Sequence, residues 1–257
     1  MAEAGRFFMG GGDVNRTLLR VTRKLDEIGV PYALAGAMAL FRHGFQRFTD
    51  DVDLLVTRDG NRVIHERLVG LGFVPPFTGS KNLRDTETGV KVEFLIAGDY
   101  PGDGKPKPIA FPDPAAVAVE IDGVRCLPLP TLIELKLASG LSAPHRGKDL
   151  TDVQEVIRVV RLPRAFADRL HPDVRAKFLE LWGLVPRRFV KVVPVAALDT
   201  QEVVALLAAG AERDPAADVR PDYAYLTTSD PAVAERFGLT AEADLWDRDD
   251  PGASDHV

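Results

Sequence analysis

The chain has 257 residues, 46% hydrophobic and 27% charged, a balance ordinary for a soluble globular protein of one large or two small domains. With Cys126 as the only cysteine, neither an internal disulfide nor a cysteine-cluster zinc site can form; no stretch approaches a membrane span and Met1–Arg6 holds no apolar run, so a cytoplasmic protein with no membrane partner is expected. The net charge of −6 is unevenly spread: residues 241–257 sum to −5, whereas Leu141–Lys191 sum to +5, which suits either a polyanionic partner or a solvated helical surface.

Residues Asp13–Ile28 carry Val14, Leu18, Val21, Leu25 and Ile28 at helical spacing, with Asp13 as the expected N-cap. Tyr32–Ala35 reads as a short strand that breaks at Gly36-Ala37 before a helical Met38–Phe41. A glycine between strand and helix lets a phosphate approach the backbone, where the helix start supplies N–H donors. Asp51-Val52-Asp53-Leu54-Leu55-Val56 reads as a buried strand, and alternate residues of a strand share a face. Asp51 and Asp53 therefore point one way, with Val52, Leu54 and Val56 the other; Asp50 is out of phase with the pair. Two carboxylates roughly 6–7 Å apart on one face repel unless a cation lies between them, and Mg²⁺ with its preference for oxygen ligands fits best. Solvated aspartates at a strand end are the plainer alternative. A phosphate cradle followed by a metal-binding pair is the equipment of phosphoryl or nucleotidyl transfer.

This stretch resembles the signature of the nucleotidyltransferase superfamily, a Gly-Ser or Gly-Gly step followed by Asp-x-Asp, with Arg47-Phe48-Thr49 similar to the Arg-x-Thr that often precedes the aspartates. Ala37 stands where the family has serine or glycine. The resemblance covers roughly residues 30 to 185. It implies a short mixed β-sheet flanked by helices, an α/β (α+β) catalytic domain, expected over residues 1–127, and a helical domain, expected over 128–190; the residue pattern beyond, over 191–257, reads as a small appended module. It also implies an NTP substrate held at Gly36, Ala37, Arg47 and Thr49, with one or two Mg²⁺ on Asp51 and Asp53.

Further along, Thr57–Gly60 reads as a turn, Asn61–Leu71 as a helix ended by Gly72, and Asn82–Thr86 with Val90–Ile96 as a hairpin. Glu93 lies between Val92 and Phe94, the same local conflict as the aspartates. It is either an edge-strand glutamate paired with Lys91 or an arginine, or, by the resemblance, the third carboxylate, ligating metal or taking the acceptor's proton. Asp99–Pro114, rich in Gly, Pro and Lys, reads as a loop that is mobile or near the substrate. Val117–Ile121 and Val124–Leu127 form a hairpin about Asp122-Gly123, and Pro128-Leu129-Pro130 marks a boundary.

The helix from Thr131 holds Lys136 within its apolar arc, where a lysine snorkels or meets an acid. The segment Leu135-Lys136-Leu137, followed by Arg146–Asp152, is similar to that of AbiEii-type toxin nucleotidyltransferases of bacterial toxin–antitoxin pairs. That resemblance implies that Lys136 reaches the triphosphate and that Asp149 belongs to the site. Asp149 also sits where an N-cap belongs, with Asp152 three residues on. Arg164–Leu170 and Pro172–Trp182 read as helices, Arg187–Val193 and Tyr223–Thr227 as strands, Thr200–Ala211 and Ala232–Phe237 as helices, and the acidic end as disordered.

The resemblance implies an NMP transferred to an RNA hydroxyl, such as a tRNA 3′ end, with an antitoxin protein as partner. A small-molecule, antibiotic-type acceptor is the alternative, and a non-catalytic nucleotide- or partner-binding module is the reading from another class. No P-loop occurs, the five histidines lack metal spacing, and no Gly-x-Ser-x-Gly supports a nucleophilic serine.

Overall fold

In the computed structural model, Tyr32–Leu34 (β1) and Asp51–Val56 (β2) run antiparallel near the middle of a seven-stranded mixed sheet. The structure describes residues 12–185, 189–194, 200–209, 211–213 and 223–241. Nearly all of the acidic end expected to be disordered lies outside them.

β2 pairs in parallel with Lys91–Ile96 (β5), and β5 pairs antiparallel with Leu83–Asp85 (β4), which in turn meets Phe73–Val74 (β3) at one edge. On the other side β1 pairs in parallel with Val124–Cys126 (β7), which forms a hairpin with Val119–Ile121 (β6). The sheet order is β3-β4-β5-β2-β1-β7-β6. In the β6–β7 turn, Asp122 and Gly123 both have positive φ, of 48° and 73°, the conformation that a two-residue hairpin demands. The alternation expected of β2 and β5 holds on the core side, where Val52, Leu54, Val92 and Phe94 are fully buried. Against this face packs Asp13–Glu27 (α1), burying Leu18, Val21 and Leu25.

Two helix starts differ from expectation. The N-cap of α1 is Gly12, and Asp13 lies in the first turn, where its charge suits the helix dipole. The expected turn at Thr57–Gly60 is the first turn of Arg58–Leu68 (α3), because the Thr57 hydroxyl accepts from the Gly60 N–H at 2.9 Å.

After Pro128 the chain becomes helical through Leu129–Ser142 (α5), Gly147–Val160 (α6) and Pro172–Leu184 (α7), with 3₁₀ turns at Pro144–Arg146 and Arg164–Arg169. The shorter helices of the sheet region are Gly36–Arg42 (α2) and Pro114–Val117 (α4). One apolar core runs from the sheet into these helices, joining Leu34 and Val56 to Ile133, Val153 and Phe178. Phe166 and Phe178 stack with ring centroids 5.7 Å apart.

A four-stranded antiparallel sheet follows, ordered β11-β8-β10-β9: Phe189–Pro194 (β8), Glu212–Arg213 (β9), Tyr223–Thr228 (β10) and Thr240–Ala241 (β11). It is accompanied by Thr200–Ala208 (α8) and Pro231–Phe237 (α9), with Leu206, Leu226 and Ala234 in a core of their own.

A buried ion pair ties α1 to β4. Asp85 has no exposed surface and accepts from Arg20 at 3.0 Å, from the Thr17 hydroxyl at 3.2 Å and from the Glu87 N–H at 2.9 Å. Removing Asp85 takes this acceptor from the buried Thr17 hydroxyl and the Glu87 N–H, while Arg20 keeps its pairing with Glu87. Asp85→Ala is expected to lose about 3 kcal/mol of stability in urea unfolding, whereas a loss under about 0.5 kcal/mol would mean that the pair is dispensable.

Candidate active site

The parallel register of β2 and β5 places Asp53 directly opposite Glu93 and Asp51 opposite Lys91. Both strands turn these residues to one face, so Glu93 converges on Asp51 and on Asp53, from which it lies 40 residues away in sequence. Oxygens of Asp51, Asp53 and Glu93 lie within 4.8 Å of one another, all half-buried. Lys91 donates to Glu93, and Thr49 donates its hydroxyl to Asp51 at 2.6 Å.

Gly36 explains how the carboxylates fit. It adopts φ +61°, and a Cβ there would run into the Asp53 carboxylate. The strand-to-helix glycine thus makes room for the Asp53 carboxylate, where the sequence suggested room for a phosphate. Ala37 is buried in the core, while Ala35 and Gly36 face the site.

Asp53 carries the electrostatic cost of the cluster. Burial, then the charges of Asp51 and Glu93, push its carboxyl up to about 7, against a smaller pull downward from Lys136 and Arg47. A divalent cation among these oxygens would remove the mutual repulsion, and an all-carboxylate donor set suits Mg²⁺. The residues present fit the metal.

A second cluster faces the first. Lys136 of α5 donates to Asp149 at 3.1 Å and to Asp152 at 2.7 Å, both on α6 and both nearly fully buried. Asp149 also accepts from the Ser139 hydroxyl at 2.7 Å and Arg146 Nε at 2.8 Å. Burial alone would raise the Asp149 carboxyl; Lys136, Ser139 and Arg146 outweigh it and hold the group below its ordinary value. Asp149 does not cap α6, whose N-cap is Arg146. Arg47 completes the chain of charge, its Nε 3.3 Å from Asp152. Asp152, which sequence reasoning left without a role, is therefore the hub joining Arg47 to Lys136; its spacing of three from Asp149 was the available signal.

Between the two clusters lies a cavity of about 780 Å³. Gly36, Arg47, Thr49, Asp51, Asp53, Glu93, Lys136 and Asp149 all line it. The loop after β5 contributes Tyr100, Pro101 and Phe111 to the lining, and His145 and Lys148 add to its basic wall. Lys107 fastens that loop to α5, donating to the Ser142 hydroxyl at 2.9 Å and to Asp103 at 2.6 Å.

Among solved structures the chain is similar to ANT(2″)-Ia in complex with adenylyl-2″-tobramycin, at 17% identity over 64% of this chain and 96% of that one, with a TM-score of 0.42. It is also similar to a candidate nucleotidyltransferase from Thermotoga maritima (18% identity, 54% and 92% covered, TM-score 0.38). A third is a candidate nucleotidyltransferase from H. pylori (15%, 66% and 92%, TM-score 0.37). No protein-family model matches the chain, and no curated protein does. Among the described residues no helix is long and apolar enough to cross a membrane.

Two outcomes follow from this geometry. In the metal-free fold Asp53 keeps its proton up to pH about 7, whereas the unfolded chain releases it near 3.8. The fold then binds more protons than the unfolded chain between those values, so this group's contribution to stability is lost as pH rises through 7. In EDTA, Asp53→Asn should melt several degrees above the parent at pH 8, with the gap closing toward pH 4; equal melting at both would remove the assigned repulsion. Gly36→Ala should cost about 2 kcal/mol or more from its left-handed φ alone and abolish any rise in melting temperature on adding Mg²⁺, read by thermal denaturation with and without the ion.

Proposed function

We propose that the protein is an enzyme that moves a nucleoside monophosphate from a Mg²⁺-bound NTP to an acceptor hydroxyl. The observation that carries this reading is the register that sets Asp53 against Glu93 beside Asp51, facing a wall of cations across one cavity. Asp51, Asp53 and Glu93 would hold Mg²⁺, which supplies charge to offset that developing at phosphorus.

The chain's own residues do the rest. Arg47, Lys136, Arg146 and Lys148 face the triphosphate, and the Gly36 backbone lies against its path. Lys136 exchanges part of its bonding with Asp149 and Asp152 for phosphate oxygens, while these carboxylates keep its position fixed. The acceptor oxygen forms a bond to the α-phosphorus as the bond from that phosphorus to the bridging oxygen breaks. Pyrophosphate leaves with the electron pair, and Glu93 takes the acceptor's proton.

For the acceptor we infer an RNA end, such as a tRNA 3′ end, and for the biology a toxin of the AbiEii type with a cognate antitoxin protein. The resemblance around Lys136 and Asp149 supports this, together with the +5 segment Leu141–Lys191 that supplies Arg146 and Lys148 to the cavity. The reaction is assigned to residues 1–190, and the unit beyond to an accessory role.

The test is transfer of label from each α-labelled NTP to total bacterial RNA. Label on a small RNA with the parent, and a rate lower by about 100-fold or more with Asp51→Ala/Asp53→Ala, is expected. Unlabelled RNA with intact Mg²⁺–NTP binding would overturn the RNA acceptor in favour of a small molecule. Absence of Mg²⁺–NTP binding would overturn transfer itself and favour a partner-binding module.

A further inference from the structure

The loop that follows β5 leaves the sheet and returns to it at one point. The Gly98 N–H donates to the Phe111 carbonyl at 2.8 Å, and the Phe111 N–H to the Asp99 carbonyl at 2.9 Å. Residues 99–111 therefore form a closed, Ω-shaped excursion, a class of loop that packs on its own side chains. This one lies against α5. Gly102, with φ +78°, sits so near that helix that a Cβ would run into the Ser139 carbonyl and the Ser142 hydroxyl.

Lys107 locks the contact. Its ammonium has three protons and meets three acceptors: the Pro101 carbonyl, Asp103 and the Ser142 hydroxyl. Ser142 donates its own proton to the Ala138 carbonyl at 2.8 Å, so the latch ends on the backbone of α5. The Lys107 side chain is only 15% exposed. A cation so withdrawn from water is costly unless its donors are used, and here each of them is.

What the latch holds is a wall of the cavity. Tyr100, Pro101 and Gly102 line it from the outgoing limb of the loop and Phe111 from the returning limb. Leu95, two residues past Glu93 on the same face of β5, continues this lining. The cavity thus joins an apolar, partly aromatic surface to the carboxylates and cations. An NTP is divided in the same way: its triphosphate suits the cations, and its flat base suits aromatic and aliphatic side chains. The loop is also tied to the cationic wall. Ser139, on whose carbonyl Gly102 rests, donates its hydroxyl to Asp149, a partner of Lys136.

We propose that Lys107 is a positioning residue, fixing residues 99–111 on α5 so that Tyr100, Pro101 and Phe111 present a preset wall to the nucleoside of the NTP. The inference rests on the transfer reading for what enters the cavity. Lys107 itself acts through the loop, by removing the cost of ordering that wall when the nucleotide arrives.

The experiment compares two ligands by calorimetry on the full chain with Mg²⁺. One is a non-hydrolysable NTP analogue; the other is inorganic tripolyphosphate, which has the anionic end without the nucleoside. The parent should bind the analogue about 5- to 100-fold more tightly than tripolyphosphate. Lys107→Met keeps the length of the side chain and removes its donors. It should lose most of that preference, while its affinity for tripolyphosphate stays within about twofold of the parent. Ser142→Ala should lose a smaller part, and the double variant no more than Lys107→Met alone, as befits one shared contact. Tyr100→Ala should lose the preference with the latch intact. The parental preference retained in Lys107→Met, or in Tyr100→Ala, would overturn the proposal. So would equal weakening of both ligands in Lys107→Met, the mark of a lysine that only stabilises the fold. Should Lys107→Met fail to fold, Ser142→Ala carries the same comparison. A parent that binds both ligands equally would overturn the nucleoside wall and leave transfer standing; one that binds neither would overturn the transfer reading and this role with it.

Discussion

Three like charges held together on two adjacent strands are the constraint around which the site is arranged. The parallel β2–β5 register holds Asp51, Asp53 and Glu93 together, and burial followed by this repulsion raises the Asp53 carboxyl. Backbone hydrogen bonds and buried Val52, Leu54, Val92 and Phe94 on the opposite face resist the strain. Only local relief is provided, by Thr49 on Asp51 and by Lys91 on Glu93. A cation among these oxygens would relieve the repulsion, because Lys136 and Arg47 offset only part of the charge around Asp53.

The opposing wall solves the reverse problem. Arg47, Lys136 and Arg146 would repel one another were Asp149 and Asp152 not buried among them. Alternation of sign along this chain lets cations be concentrated on α5 and α6 without dispersing them, and because Arg47 precedes β2, the chain also reaches from the sheet to the helices. Its charges are spared the full desolvation cost of isolated ions by mutual pairing. A polyanion entering the cavity meets a preset field and needs little rearrangement of the protein.

Much of this was legible in the sequence where a local rule was broken. Aspartates at alternate positions of an apolar strand, a glutamate in the same predicament on another, and a lysine inside an apolar helical arc each mark a residue whose position propensity does not explain. What stayed hidden depended on three-dimensional pairing. Gly36 was readable as a place of close approach, but the sequence could not say that the approaching group is the Asp53 carboxylate. Asp149 stood near a helix start, yet Arg146 takes the capping position and Asp149 turns inward to Lys136. The role of Asp152 emerges only once α5, α6 and the Arg47 segment before β2 are brought together. Thr57 shows the limit at a smaller scale, since a turn and a capped first helical turn share the same residues.

The strand order β3-β4-β5-β2-β1-β7-β6 has a consequence for how the molecule comes into being. β2 cannot meet β5 until the intervening α3, β3 and β4 are accommodated, and β1 cannot complete its pairing until β7 has been synthesised. Long-range parallel pairings of this kind form slowly, because chain entropy is spent before the contacts repay it. On a ribosome, the segment carrying Asp51 and Asp53 therefore waits until β5 (Lys91–Ile96) has emerged, and its neighbour β1 until β7 (Val124–Cys126) has. The helices that bear Lys136 and Asp149 come later still. The carboxylates can thus gather while the cationic wall is still unmade, and the cavity between them exists only once the helical half has closed over the sheet.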